Sequence, residues 1–140
     1  MQAPYILEKI KREEKNMIYL WVAVGGGIAA LLRYVMSSQV THWFGNSFPY
    51  GTFVVNVVGA FCIGVAIEVF AKTLPHTHEL RAFIIVGILG GFTTFSTFSL
   101  EVFMLYQKGE WVLALAYILG SVMLAVLGVV LGLNCIRVLA

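Results

Sequence analysis

The chain consists of long uncharged apolar runs separated by short polar segments. About 20 helical residues cross the hydrocarbon core of a bilayer, and each of these runs is long enough to do so. The pattern therefore predicts four transmembrane helices, at residues 17–40, 50–71, 81–106 and 111–136. Because the connections are short, consecutive helices are expected to be antiparallel neighbours with both termini on one side.

The composition supports an all-α membrane protein. Hydrophobic residues make up 60% of the chain and charged residues only 11%, whereas a soluble domain carries roughly 25% charge. A soluble globular domain is therefore excluded. The basic residues are scattered along the chain rather than gathered on one face, so nucleic acid is not an expected partner. Cys62 and Cys135 each lie inside an apolar run and are interpreted as small hydrophobic residues.

Residues 1–16 differ from the rest because they carry mixed charges. They are interpreted as a charged N-terminal tail, either a disordered extension, which is the preferred interpretation, or a short surface helix. Residues 17–140 form the predicted four-helix transmembrane domain. A cleaved secretory signal is rejected because Gly25, Gly26 and Gly27 interrupt the first apolar run and three more spans follow.

Small residues recur at helical spacing in the second and fourth runs, for example Gly128 and Gly132. Such residues let helix backbones approach closely. A chain of only four spans is too small to enclose a polar pathway alone, so an oligomer is expected. Two interpretations of the small residues remain open: they contact a second subunit, or they pack the chain's own helices together.

The third run has an unusual concentration of glycine and hydroxyl residues in positions 87–99. Adjacent glycines followed by β-branched threonines weaken a helix, so the third helix is predicted to be interrupted near mid-membrane. Broken backbone at that depth is tolerated where it is buried in protein or lines a cavity, and its carbonyls can ligate a small cation. The alternative is an unbroken helix whose hydroxyls bond to the preceding turn.

Three motifs together resemble one known family. The first run contains Gly25-Gly26-Gly27-Ile28 and Arg33-Tyr34, the second contains Pro49-Tyr50-Gly51-Thr52 with Asn56, Gly59 and Gly64, and the third contains residues 90–99 with Glu101. In order and spacing they resemble the Fluc (CrcB) fluoride channels, over about residues 17–135. The resemblance implies a passive, fluoride-selective channel in the bacterial inner membrane that exports cytoplasmic fluoride and is not an enzyme. It also implies an antiparallel homodimer with two pores at the subunit interface and a structural sodium ion on the two-fold axis.

The resemblance also implies roles for individual residues. Arg33 matches an arginine at the vestibule, and Gly90 and Thr93 match positions whose main-chain carbonyls hold the sodium ion. Glu101 and Thr94 are polar positions to which no definite role is assigned. Aromatic ring edges carry positive potential and can face a small anion without trapping it. The residues implied to line the fluoride pore are Asn56, Phe95, Phe98, Ser96, Tyr117 and Ser121.

A proton-coupled small multidrug-type exporter is the alternative function, since such exporters also combine four short helices with antiparallel dimers. An exporter of that kind needs a carboxylate deep in its first helix to exchange protons for a cation. The first run has no carboxylate. A non-transporting membrane scaffold would not need the interrupted third helix at all.

The distribution of basic residues bears on orientation in the membrane. Seven lie on the side of the termini and two, Arg33 and Lys108, on the other side, and this bias favours cytoplasmic termini. Without the tail the counts become three and two, as insertion in both orientations requires. Met17 is therefore interpreted as the equivalent of the usual start in the family. The seven on the terminal side are Lys9, Lys11, Arg12, Lys15, Lys72, Arg81 and Arg137.

Overall fold

A computed structural model describes residues 3–73 and 78–139 of the chain. Within these ranges every regular element is helical, and four stretches are long and apolar enough to cross a membrane. The predicted all-α fold with four spans is therefore confirmed. The elements are α1 (Ala3–Phe44), α2 (Tyr50–Thr73), α3 (His78–Arg81), a π-helical segment (Ala82–Leu89), α4 (Gly90–Phe92), α5 (Phe95–Gln107) and α6 (Trp111–Leu139).

The largest difference from the prediction is at the N-terminus. The preferred interpretation of residues 1–16 as a disordered extension is wrong for residues 3–16, because α1 runs through them without a break. The physical reason lies in the composition of that segment. Glutamate, lysine and arginine are good helix formers, and neither proline nor glycine occurs between Tyr5 and Val24. The helix of the first span therefore continues through the charged residues.

The second and fourth spans pack against each other through glycines. A Cβ atom built on Gly132 would lie 2.9 Å from the Val65 nitrogen, and one on Gly128 would lie 3.2 Å from the Val57 carbonyl oxygen. On the facing helix, a Cβ on Gly64 would collide with the Val129 carbonyl oxygen. Of the two interpretations of the small residues, the structure supports intrachain packing for these glycines of α2 and α6.

The first span makes a similar contact with the π-helical segment. A Cβ atom on Gly25 would lie 2.9 Å from the Phe83 carbonyl oxygen and 3.0 Å from the Gly87 Cα. The two backbones therefore touch at this point, which only glycine permits. This contact joins α1 to the third span, just as the glycines of α2 and α6 join the second span to the fourth.

An aromatic core lies between α5 and α6. Phe98 and Tyr117 are both buried, with ring centroids 5.0 Å apart. Phe48, from the segment before α2, packs edge-on against Tyr117 at 5.2 Å. Leu105 and Ala114 complete the buried cluster. The core therefore fixes the first turns of α5 relative to α6, which is where the residues of the candidate site lie.

Candidate functional site

Thr93 and Thr94 separate α4 from α5 and have extended backbone, with ψ of 153° and 123°. The backbone N–H and the hydroxyl of Thr93 both donate to the Leu89 carbonyl oxygen, at 3.2 Å each. The hydroxyl oxygen of Thr94 accepts from the Thr97 N–H at 3.3 Å. Threonine is a favourable N-cap for that reason, so Thr94 starts α5 as a new helix.

The side chain of Asn56, on α2, bonds to both peptide groups of Thr94. Its Oδ1 accepts from the Thr94 N–H at 2.8 Å, and its Nδ2 donates to the Thr94 carbonyl oxygen at 3.0 Å. Thr94 is buried, and buried peptide groups need hydrogen-bond partners. Asn56 supplies them from a neighbouring helix.

These contacts divert two backbone donors of the third span. In a regular α-helix the Thr94 N–H would donate to the Gly90 carbonyl and the Thr97 N–H to the Thr93 carbonyl. Here the first donates to Asn56 Oδ1 and the second to the hydroxyl of Thr94. The carbonyls of Gly90 and Thr93 therefore lose their usual helical donors.

Glu101 connects three helices. Its Oε1 accepts from the Thr52 hydroxyl of α2 at 2.8 Å, and its Oε2 accepts from the Tyr117 hydroxyl of α6 at 2.7 Å. Tyr117 is fully buried. A carboxylate at this depth needs such donors to replace water, so Glu101 is held in one orientation within the chain.

A mainly apolar cavity of about 320 Å³ lies beside the extended residues. The rings of Phe95 and Phe98 line it, with centroids 5.5 Å apart. Ser121 also lines it, and the Ser121 hydroxyl is buried without a hydrogen-bond partner among the described residues. The remaining lining residues are Asn56, Ala60, Ile63, Thr93, Thr94, Val122, Ala125 and Val129.

A second, more polar cavity of about 760 Å³ shares one lining residue with the first. Arg33 contributes its positive charge to the wall, and Thr94 lines both cavities. The shared residue is the one that Asn56 holds. The other lining residues are Ala30, Tyr34, Ser37, Ser38, Thr41, His42, Asn46, Thr52 and Thr97.

Comparison with known proteins places the chain in a family. Residues 20–133 match the family model described as "CrcB-like protein, Camphor Resistance (CrcB)". The chain belongs to the CrcB family. The family expected from the three sequence motifs is thereby confirmed.

Three curated relatives of this CrcB-family chain carry the name "Fluoride-specific ion channel FluC". The relative from Magnetococcus marinus is 50% identical over 113 residues, which cover 81% of this chain and 92% of the relative. The relative from Rhodospirillum centenum is 46% identical over 118 residues, covering 84% and 94%. That from Rhizobium leguminosarum bv. trifolii is 47% identical over 121 residues, covering 86% and 97%.

The structure brings only part of the predicted pore set together in this CrcB-family chain. Asn56, Phe95, Phe98 and Ser121 share the apolar cavity. Ser96 is exposed, with its hydroxyl oxygen 3.3 Å from that of Thr94.

Tyr117 does not line that cavity and instead donates to Glu101. Arg33 lines the larger polar cavity.

The sequence analysis missed two features of the site. Ser37 and Thr41 line the polar cavity together with Arg33, and the spacing of four residues that puts all three on one face of α1 is visible in the sequence. Thr52 was quoted only as part of a motif, yet it donates to Glu101. That contact joins residues 49 positions apart, so no local pattern indicates it.

A second polar cluster lies at the opposite end of α2. Glu68 accepts from the Arg137 Nε at 3.0 Å, and the Lys72 Nζ lies 3.8 Å from the same carboxylate. In the part of the chain that the structure describes, no group of three or more His, Cys, Asp or Glu side chains could hold a metal ion.

Proposed function

We propose that this CrcB-family chain is a passive, fluoride-selective channel that lets cytoplasmic fluoride leave across the bacterial inner membrane. The observation that carries the proposal is the similarity to relatives named fluoride-specific ion channels, at 46–50% identity over more than nine-tenths of their length. The four membrane-spanning helices support the same function. A channel needs no catalytic residues, so the chain is not expected to be an enzyme.

The proposed route begins in the polar cavity. The charge of Arg33 raises the local concentration of anions there. Thr94 lines both cavities, so an anion that moves past Thr94 reaches the apolar cavity. The hydroxyls of Ser37 and Thr41 provide donors along the first part of this route.

Inside the apolar cavity the proposed contacts with fluoride are individually weak. The ring edges of Phe95 and Phe98 present positive potential without a full charge. The unpartnered hydroxyl of Ser121 is available as a donor. Weak contacts let the ion leave as well as enter. We propose that Ser96 and Tyr117 belong to a polar track beside this path, as the family resemblance implies.

The complete channel is proposed to be an antiparallel homodimer with two pores at the subunit interface. Within one chain Phe95 is 78% exposed, although it lies next to the buried Phe98. A large exposed ring beside a candidate pore supports a second subunit at this face. Gly90 is also exposed, which supports the approach of a partner chain near its carbonyl.

A sodium ion on the two-fold axis is part of the same proposal. Hard cations prefer oxygen ligands. The carbonyls of Gly90 and Thr93 fit that preference because their helical donors are diverted to Asn56 and Thr94. These two carbonyls of each subunit would hold the ion, which would stabilise the contact between the two third spans.

The alternative, a proton-coupled small multidrug-type exporter, is not favoured. Glu68 and Glu101 are the carboxylates within α2 and α5, and both are engaged: Glu68 with Arg137, and Glu101 with two hydroxyls. Neither lies in the first span, where such an exporter requires its proton-binding carboxylate.

Ion efflux from liposomes containing the purified protein tests the proposal. We expect rapid fluoride efflux, little chloride efflux and no dependence on a proton gradient. Liposomes without protein are the control. Equal fluoride and chloride efflux, or fluoride movement strictly coupled to protons, would contradict the channel function.

A further inference from the structure

The contact between Asn56 and Thr94 selects one of two possible hydrogen-bond patterns for the third span. Asn56 Oδ1 lies 2.8 Å from the Thr94 nitrogen, and the other possible acceptor is the Gly90 carbonyl, four residues earlier. If the N–H bonds to Gly90, the helix continues through Thr94. If it bonds to Asn56, the helix stops.

Asn56 is chemically matched to this task. A side-chain amide has the same donor and acceptor groups as a peptide bond, so it can satisfy the N–H and the carbonyl of Thr94 together. A hydroxyl group would have to donate and accept through a single oxygen atom, and a carboxylate has no hydrogen to donate. Asparagine is therefore suited to bonding both peptide groups of one extended residue from a neighbouring helix.

The face of α2 that carries Asn56 also contacts the third span one turn before and one turn after Asn56. Thr52, one turn before Asn56, donates to Glu101 in α5 at 2.8 Å. Gly59, one turn after Asn56, lies against the Thr93 side chain, because a Cβ atom on Gly59 would collide with Thr93 Cγ2. Residues spaced by four and then three share one helix face. The fit of this face is an observation independent of the two Asn56 hydrogen bonds.

We propose that Asn56 is a positioning residue that keeps the third span interrupted by holding the Thr94 N–H away from the Gly90 carbonyl. Its second hydrogen bond, to the Thr94 carbonyl, fixes the residue that caps α5. Phe95 follows directly, so Asn56 determines where the rings of Phe95 and Phe98 stand in the cavity. The effect on ion flux rests on the proposed channel function, but the effect on the backbone does not.

The backbone effect can be measured by isotope-edited infrared spectroscopy. A ¹³C=¹⁸O label is placed at the Gly90 carbonyl of the full-length protein by semisynthesis, and spectra are recorded in fluoride-free buffer. In Asn56→Ala the Gly90 carbonyl should gain a hydrogen bond from Thr94, which moves its band to lower frequency. The exposed Asn134 provides the control, because Asn134→Ala should leave the band unchanged. An unchanged band in Asn56→Ala would overturn the proposal.

The functional effect can be measured by combining Asn56→Ala with an ester that replaces the peptide bond between Thr93 and Thr94. The ester deletes the Thr94 N–H without altering any side chain, so the helix cannot close on Gly90. Asn56→Ala alone should reduce fluoride efflux at least about tenfold, because it removes the hydrogen-bond partner of two buried peptide groups. Adding the ester should restore efflux at least about threefold, a coupling typical of groups in contact.

The outcomes separate positioning from direct binding of the ion. If Asn56 acted only as a fluoride ligand, the ester would not restore efflux and the two losses would multiply. That result would overturn the proposal. If Asn56→Ala gives no folded dimer while the parent carrying the ester alone does, adding the ester to Asn56→Ala is expected to restore the dimer, and its failure to do so would count equally against the proposal. If the parent carries no fluoride, the proposed function fails while the infrared measurement still decides the role of Asn56.

Discussion

The close contact between α2 and α6 leads to a prediction for Gly132→Ala. The added Cβ would collide with the Phe61 carbonyl oxygen and would lie 2.9 Å from the Val65 nitrogen. These are backbone atoms and cannot rotate away. The helices must therefore separate by roughly 1 Å before ordinary contact distances return. Overpacking of this kind costs about 1–3 kcal/mol.

Replacing glycine by alanine inside a helix also has a favourable part, worth about 0.5–1 kcal/mol. The net expectation for Gly132→Ala is therefore a loss of about 1–2 kcal/mol in the free energy of unfolding. Gly120→Ala, on the same helix, is the matched control, because its Cβ would lie 3.6 Å from the Phe53 ring. It should be neutral or stabilising.

The assay is chemical unfolding of each purified variant in detergent micelles, followed by circular dichroism. Gly132→Ala should unfold at a lower denaturant concentration than the parent, and Gly120→Ala at the same or a higher one. If both variants unfold like the parent, the two helices do not meet as closely as the structure has them. Equal destabilisation of both would refute the assignment of the cost to this one contact.

Three further predictions concern the site and the ion pair. Phe95→Ile and Phe98→Ile should both reduce fluoride efflux. In the detergent-dissociated single chain only Phe98→Ile should lower stability, by at most about 1.5 kcal/mol, because Phe98 is 8% exposed there and Phe95 78%. Equal stability of the two variants as single chains would contradict this. Tyr117→Phe removes one donor to Glu101 and should cost about 1–3 kcal/mol in chemical unfolding, so parent-like unfolding would argue against that bond. Glu68→Gln should lower the free energy of unfolding by at most about 1 kcal/mol, because its partners Lys72 and Arg137 are partly exposed to solvent. A larger loss would contradict that explanation.

Much of the fold follows from the sequence because length and apolarity determine what can cross a bilayer. The helices α2 and α6 begin at the residues predicted for them, Tyr50 and Trp111, since a short polar connection precedes each. The start of the first helix was missed because helix propensity, rather than apolarity, determines how far α1 extends beyond the membrane-spanning residues.

The candidate site was only partly predictable, because its decisive contacts join distant parts of the chain. The glycines and threonines of the third run indicate a weak helix, but the partner of Thr94 is Asn56, 38 positions away. Similarly, Glu101 and Tyr117 are both visibly polar, yet only the packing of α5 against α6 brings them within 2.7 Å. Local patterns identify such residues without identifying their partners.

The reversal potential of the current through the purified protein in a planar bilayer tests the central claim most directly. With a tenfold fluoride gradient and equal chloride on both sides, a fluoride-selective channel should reverse close to the fluoride equilibrium potential, about 59 mV in magnitude for a singly charged ion. That value should not change when a proton gradient is imposed. A reversal potential near zero, or one that follows the proton gradient, would contradict a passive fluoride channel.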